Sequence, residues 1–190
     1  WPAPQAAGAS SPTEMVSQLV RRLEREPEDL EGWLMLGRSY VALGQLPLAI
    51  RAYQRADRLA DGRNAEALEG WAEALALGNE AELAGRAGRL FDRALELAPT
   101  APKALFFGAV AAQRRGELPL AVERFEKLLA TEPPENVRPV IEQQVATLKA
   151  AIAGAPMAAM AGAAKADGPG AAPAGGAAAP GGEGAAASSG

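Results

Sequence analysis

The 190-residue chain has no cysteine and no histidine. Without cysteine it can form neither disulfides nor thiolate metal sites, and cysteine usage is silent about its redox compartment. Without histidine it lacks the base of Ser-His and Cys-His nucleophilic pairs, the nitrogen ligands of zinc motifs and the commonest axial ligand of haem. No run approaches the roughly 18 apolar residues of a membrane span, and no signal-peptide pattern precedes the first helical segment. Charged residues make up 22% of the chain with a net charge of -4, which argues against a general affinity for nucleic acid. The opening WPAPQ carries no initiator methionine, so the chain reads as part of a longer or processed protein whose anchor, if any, lies upstream.

What is present is helical. SPTE at 11–14 offers Ser11 as an N-cap, Pro12 at the first helical position and Glu14 to complete a capping box, and Val16, Leu19, Val20 and Leu23 then mark one face of a helix ending near Pro27. From Leu30 onward the apolar residues keep helical spacing, broken by glycine and proline and never by strand-like alternation, so the chain is all-α.

Two stretches, GQLPLAIRAYQRA at 44–56 and GELPLAVERFEKL at 116–128, are close copies 72 residues apart, near twice a 34-residue period. A register starting at Leu30 places Trp33, Leu36, Gly37, Tyr40, Gly44, Ala49, Tyr53 and Ala56 at positions 4, 7, 8, 11, 15, 20, 24 and 27. A register starting at Pro102 places Leu105, Gly108, Ala109, Ala112, Gly116, Ala121, Phe125 and Leu128 at the same positions, with Pro133 at 32, where the first copy has Asp61. A middle copy begins at Ala65 and needs about three extra residues in GNEAELAG, a longer turn. Pro47 and Pro119 predict second helices that begin at Leu46 and Leu118.

These positions resemble the tetratricopeptide repeat (TPR), in which small residues at 8, 20 and 27 let two antiparallel helices approach and bulky ones at 4, 7, 11 and 24 fill around them. The expected fold is an all-α TPR solenoid of three hairpins at about 30–63, 65–100 and 102–135, inside a domain spanning 11–153. The helix at 11–26 closes an incomplete earlier repeat, and a capping helix at about 137–153 carries Ile141, Val145, Leu148 and Ile152 on its apolar side. Residues 1–10 read as a disordered lead and 154–190, rich in Ala, Gly and Pro, as a disordered tail.

No catalytic constellation stands out, so the protein is not expected to be an enzyme or to need a cofactor or metal. A stack of hairpins curves, and its first helices line the concave side. Repeat positions 2, 5, 9, 12 and 13 face inward there and supply the candidate peptide-binding set: Leu34, Arg38 and Val41, then Glu66, Glu69 and Glu73, then Lys103, Phe106, Val110, Gln113 and Arg114. The mixture suits an amphipathic helix laid in a groove. Ordinary packing against a neighbouring hairpin would use Leu34, Phe106 and Val110 as well, and a solvated helix face would use Glu69 and Glu73. The aromatics Trp33, Tyr40, Tyr53, Trp71, Phe91 and Phe125 fall at inter-helix positions and read as core. The carboxylate clamp of co-chaperone TPR domains, two Lys and two Asn with a further cation, maps onto Leu34, Arg38, Gly70, Lys103 and Phe107, and only Lys103 matches it.

The runs PEDLEGWLMLGRSYVALGQLPLAIRAYQRA at 27–56 and APKALFFGAVAAQRRGELPLAVERFEKLL at 101–129 resemble the periplasmic repeat domain of the c-type cytochrome biogenesis factors called CcmI or CycH, over about 15–150. The resemblance implies the soluble periplasmic domain of an inner-membrane protein, an apocytochrome c chaperone. Its groove would hold the C-terminal helix of apocytochrome c and pass the apoprotein to subunits of the haem-ligation complex. The other reading is a non-catalytic TPR scaffold that assembles another envelope complex.

Overall fold

The computed structural model of the protein describes residues 11–163, with side chains to residue 154. The expected lead at 1–10 and most of the expected tail lie outside the described residues. Among the described residues eight α-helices run in order: α1 (Pro12–Arg25), α2 (Leu30–Ala42), α3 (Leu46–Leu59), α4 (Ala65–Gly78), α5 (Arg86–Leu97), α6 (Pro102–Arg114), α7 (Leu118–Ala130) and α8 (Arg138–Ala163). The chain divides into two units at Gly154, and the described part of the second is the backbone of the end of α8, which is helical to Ala163 where the sequence suggested a tail from 154.

The local signals act where the sequence placed them. Ser11 Oγ accepts from the Glu14 N–H at 3.2 Å while Glu14 Oε2 accepts from the Ser11 N–H at 2.9 Å, closing the capping box of α1. In the duplicated turns Gly44 and Gly116 take φ of 69° and 79°. There the Gln45 N–H reaches Tyr40 O and the Glu117 N–H reaches Ala112 O, the long bond of a glycine-terminated helix end. Helices α3 and α7 then begin at Leu46 and Leu118, each with its proline in the first turn, where a missing N–H costs least.

Helices α2/α3, α4/α5 and α6/α7 form the three hairpins, and each hairpin packs on the next through α3 against α4 and α5 against α6. This is the TPR stack. The core follows the same order as linked clusters. Leu34, Ala49 and Tyr53 fill the first hairpin, with Ala74 of α4 packed against them; Leu68, Phe91 and Ala94 fill the second; Leu105, Phe125 and Leu128 the third, closed by Ile141, Val145 and Leu148 of α8. Half-buried Trp71 touches the first two clusters and Val110 the last two, so the apolar interior is continuous. No single hairpin could bury its own apolar face, so the repeats are stable only together.

The middle turn is an ordered addition. Asn79 Oδ1 accepts from the Ala81 N–H at 3.1 Å and starts a 3₁₀ turn, Glu80–Leu83, whose Leu83 is buried in the second cluster. Gly88 accommodates it: a Cβ there would lie 2.3 Å from Leu83 O.

Candidate functional site

Helices α2, α4 and α6 share one side of the stack. Asp29 Oδ1 caps α2 through the Gly32 N–H at 3.0 Å, Asn64 Oδ1 caps α4 through the Ala67 N–H at 2.8 Å, and α6 opens on Pro102 without a side-chain cap. Ion pairs join one helix to the next. Arg38 of α2 bonds Glu66 of α4, Lys103 Nζ of α6 lies 2.7 Å from Glu73 Oε2 of α4, and Arg114 of α6 bonds Glu80 of the 3₁₀ turn.

The sequence-derived set therefore divides. Leu34 is fully buried in the first cluster and cannot meet a ligand, which corrects its place among the binding residues: α3 and α4 close over it, with Ala49, Tyr53 and Ala67 in the same cluster. Arg38, Glu66, Glu73, Lys103 and Arg114 are charged groups already paired with a neighbouring element. Val41 and Val110 are half-buried, while Gln113 is exposed. Phe106 is 37% exposed and meets two rings edge-on, Phe107 at 5.3 Å and Phe125 at 6.0 Å between centroids, so its position is set by aromatic packing while one side stays open. Glu69 has no ion pair among the described residues. Burial pushes its carboxyl above the ordinary carboxylate value, Lys103 draws it back, and Glu66 and Glu73 push it further up.

Two contributors escaped the sequence reading. Tyr53, expected in the core and buried there, crosses from α3 between α2 and α4: a Cβ on Gly37 would lie 2.7 Å from its ring, and one on Gly70 only 2.2 Å. Its hydroxyl is pushed up to about 12, first by burial and then by Glu73, with Arg38 opposing and Glu66 adding. The phenol end thus stands behind the ion pairs of the face. Gly70, in a register position held by Met35 and Phe107 in the other copies, was the available signal. Glu80 was missed because it belongs to the inserted turn, outside any repeat position.

The co-chaperone clamp has no room here. Leu34 is buried, Gly70 is covered by Tyr53, and Phe107 stacks on Phe91 at 5.3 Å, leaving Arg38 and Lys103. Among the described residues no group of three acidic side chains could hold a metal ion, and no helix is long and apolar enough to cross a membrane.

Residues 13–139 match the family model described as the TPR domain of cytochrome c-type biogenesis protein H. The chain is 31% identical over 156 residues to the cytochrome c-type biogenesis protein CycH of Rhizobium meliloti, covering 80% of this chain and 41% of that protein. It is 38% identical over 128 residues to CcmH of Escherichia coli, covering 66% and 36%. The chain thus spans about two fifths or less of the length of these curated relatives. A crystal structure of MamA protein superposes with a TM-score of 0.61 at 23% identity, covering 72% of this chain and 71% of that one, a likeness of fold.

Proposed function

Because the chain belongs to the family of cytochrome c-type biogenesis protein H TPR domains, we propose that it is a polypeptide-binding module of c-type cytochrome biogenesis whose α2/α4/α6 face receives the C-terminal helix of apocytochrome c. In the whole protein this domain would stand in the periplasm, tied to the inner membrane, and hand the apoprotein to the haem-ligation complex. The module itself would do no chemistry.

The observation that carries the reading is the composition of the face at α6. Phe106 offers open apolar surface, half-buried Val110 lies one turn further along the helix, and Gln113 and Arg114 follow them. A helix with an apolar stripe and a polar flank is the ligand such a strip complements. The ion pairs beside it are exposed and cost little to exchange, about 0–1 kcal/mol each, so a ligand's own charges could take over a partner.

Titrating the domain with a labelled peptide of an apocytochrome C-terminal helix should give saturable binding near roughly tens of micromolar or tighter. Phe106→Ala should weaken it about tenfold, the order of a lost aromatic anchor. Absence of saturation, or binding indifferent to Phe106→Ala and Arg114→Ala together, would defeat the proposal and leave the scaffold reading.

A further inference from the structure

We propose that the apolar groove between α1 and α2 docks an amphipathic helix of another polypeptide, seated where the first helix of a complete repeat would stand and bearing a lysine or arginine opposite Glu31.

The repeat itself provides the comparison. Positions 2, 6, 10 and 13 form one stripe of each first helix and turn it toward the preceding repeat. In α4 the stripe is covered at its first three positions, where Glu66 bonds Arg38, Gly70 lies against the Tyr53 ring and Ala74 is fully buried with Leu34 and Ala49, while Leu77 at position 13 is 59% exposed. In α6 it is covered again, with Lys103 on Glu73, Phe107 stacked on Phe91, Ala111 wholly buried and Arg114 on Glu80. In α2 the same stripe is Glu31, Met35, Ser39 and Ala42, and among the described residues only α1 adjoins it.

Helix α1 shows the same vacancy from its side. Met15 lies twelve residues before the closing position Pro27, as Ala49 does before Asp61 and Ala121 before Pro133. Ala49 and Ala121 are wholly buried in clusters with residues of their own first helices, Leu34 and Leu105. Met15 is 61% exposed and Met35, facing it, 51%. Between them runs a groove of about 250 Å³, with Val16 and Leu19 on one wall and Ser39 and Ala42 on the other. The Ser39 hydroxyl donates to Met35 O at 2.9 Å, so the one polar group in the wall asks nothing of a ligand. Methionine adapts to the shape of what covers it.

Charge selects the occupant. Within the stack, position 2 of a later first helix bonds the opposite charge at position 9 of the earlier one: Glu66 with Arg38, and Lys103 with Glu73. Glu31 holds position 2 of α2, is exposed, and has no ion pair among the described residues. A helix completing the pattern brings a cation to it.

The probe is a fluorescein-labelled peptide with the sequence of residues 28–44, since α2 already presents an apolar stripe and Arg38 to the next repeat in this geometry. Saturable binding is expected, weakened about tenfold or more by Met35→Glu or Met15→Glu and unchanged by Phe106→Ala, which separates this groove from the α6 strip. Glu31→Lys should weaken binding about threefold to tenfold, the loss of one charge pair, and a peptide carrying Arg38→Glu should restore it. Circular dichroism verifies that each variant stays helical. Absence of saturation up to about 1 mM, equal binding by the Met35→Glu variant, or no rescue in the charge swap overturns the proposal. So does a dimer that Met35→Glu dissociates in sedimentation, which assigns the groove to a second copy. Tightening of the peptide by deletion of residues 1–10 also overturns it, because the chain itself would then cover the groove.

Discussion

Replacing Gly70 by alanine sets two physical effects of opposite sign against each other. Alanine is favoured over glycine inside a helix by about 1 kcal/mol, so propensity alone predicts a stabilised protein. The new Cβ, however, would lie 2.2 Å from Cζ and 2.3 Å from Cε1 of Tyr53, where carbon atoms normally rest about 3.5–4 Å apart. The ring cannot retreat, because a Cβ on Gly37 would already stand 2.7 Å from it and only 2% of the residue is exposed. Overpacking of this kind costs about 1–3 kcal/mol, and with both sides closed the upper end applies. The net loss is about 2 kcal/mol, which for a domain of this size lowers Tm by roughly 4–8 °C. Differential scanning calorimetry decides it, with Gly78→Ala as the control: its nearest neighbour would be Leu46 Cδ1 at 3.8 Å, an ordinary contact, so no destabilisation is expected there. In a Tyr53→Leu background Gly70→Ala should lose most of its cost, since the two sites are in contact and couple. An unchanged or raised Tm for Gly70→Ala alone would refute the tyrosine-between-glycines account.

Gly44→Ala and Gly116→Ala should each cost about 1 kcal/mol in urea denaturation and add in the double variant, because both glycines have positive φ and open space within 4 Å; a much larger cost for either would point to a clash and against a purely backbone origin. Glu69→Gln should raise Tm at pH 7, and the gain should shrink as pH falls into the carboxylate range: a carboxyl with its folded pKa raised opposes folding when ionised and ceases to once protonated. A lowered Tm at pH 7 would refute that sign. Arg124→Met should cost about 1–3 kcal/mol, since Arg124 Nη1 sits 2.7 Å from Asp92 Oδ1 and donates to Gly108 O at 2.8 Å. Adding Asp92→Asn to it should recover part of the loss in chemical denaturation, and no recovery would show that packing rather than charge explains it. Stopped-flow association of the apocytochrome peptide should change less than about threefold between low and high salt, because the three cations Arg38, Lys103 and Arg114 nearly offset the four carboxylates Glu66, Glu69, Glu73 and Glu80 and leave little net field to steer it; a tenfold fall would refute the near balance.

The fold was legible because its signals are local and repeated. Gly44 and Gly116 end one helix, Pro47 and Pro119 open the next, and alanines at fixed spacing set how closely the two approach, so each element could be placed without knowing its neighbours. The inserted middle turn was legible only as extra length, since nothing in GNEAELAG announces that Leu83 will bury and Glu80 will reach Arg114. The face was legible as a set of positions but not as a set of states. Leu34 and Phe106 share register position 5, yet one is fully buried and the other 37% exposed: Leu34 shares its cluster with Ala67 and Ala74 of α4, whereas Phe106 meets Phe107 and Phe125 edge-on and keeps one side open. Likewise Arg38 and Glu66, or Glu73 and Lys103, read singly as ligand-facing charges, whereas across the 28 and 30 residues that separate them they find each other. Position within a repeat therefore says which way a side chain points, and position within the stack says what it meets. On the function proposed above, a face whose charges are mostly paired selects its ligand through the apolar strip at α6, and the α2 stripe, adjoined among the described residues by α1, is where the proposed docking helix would extend the stack.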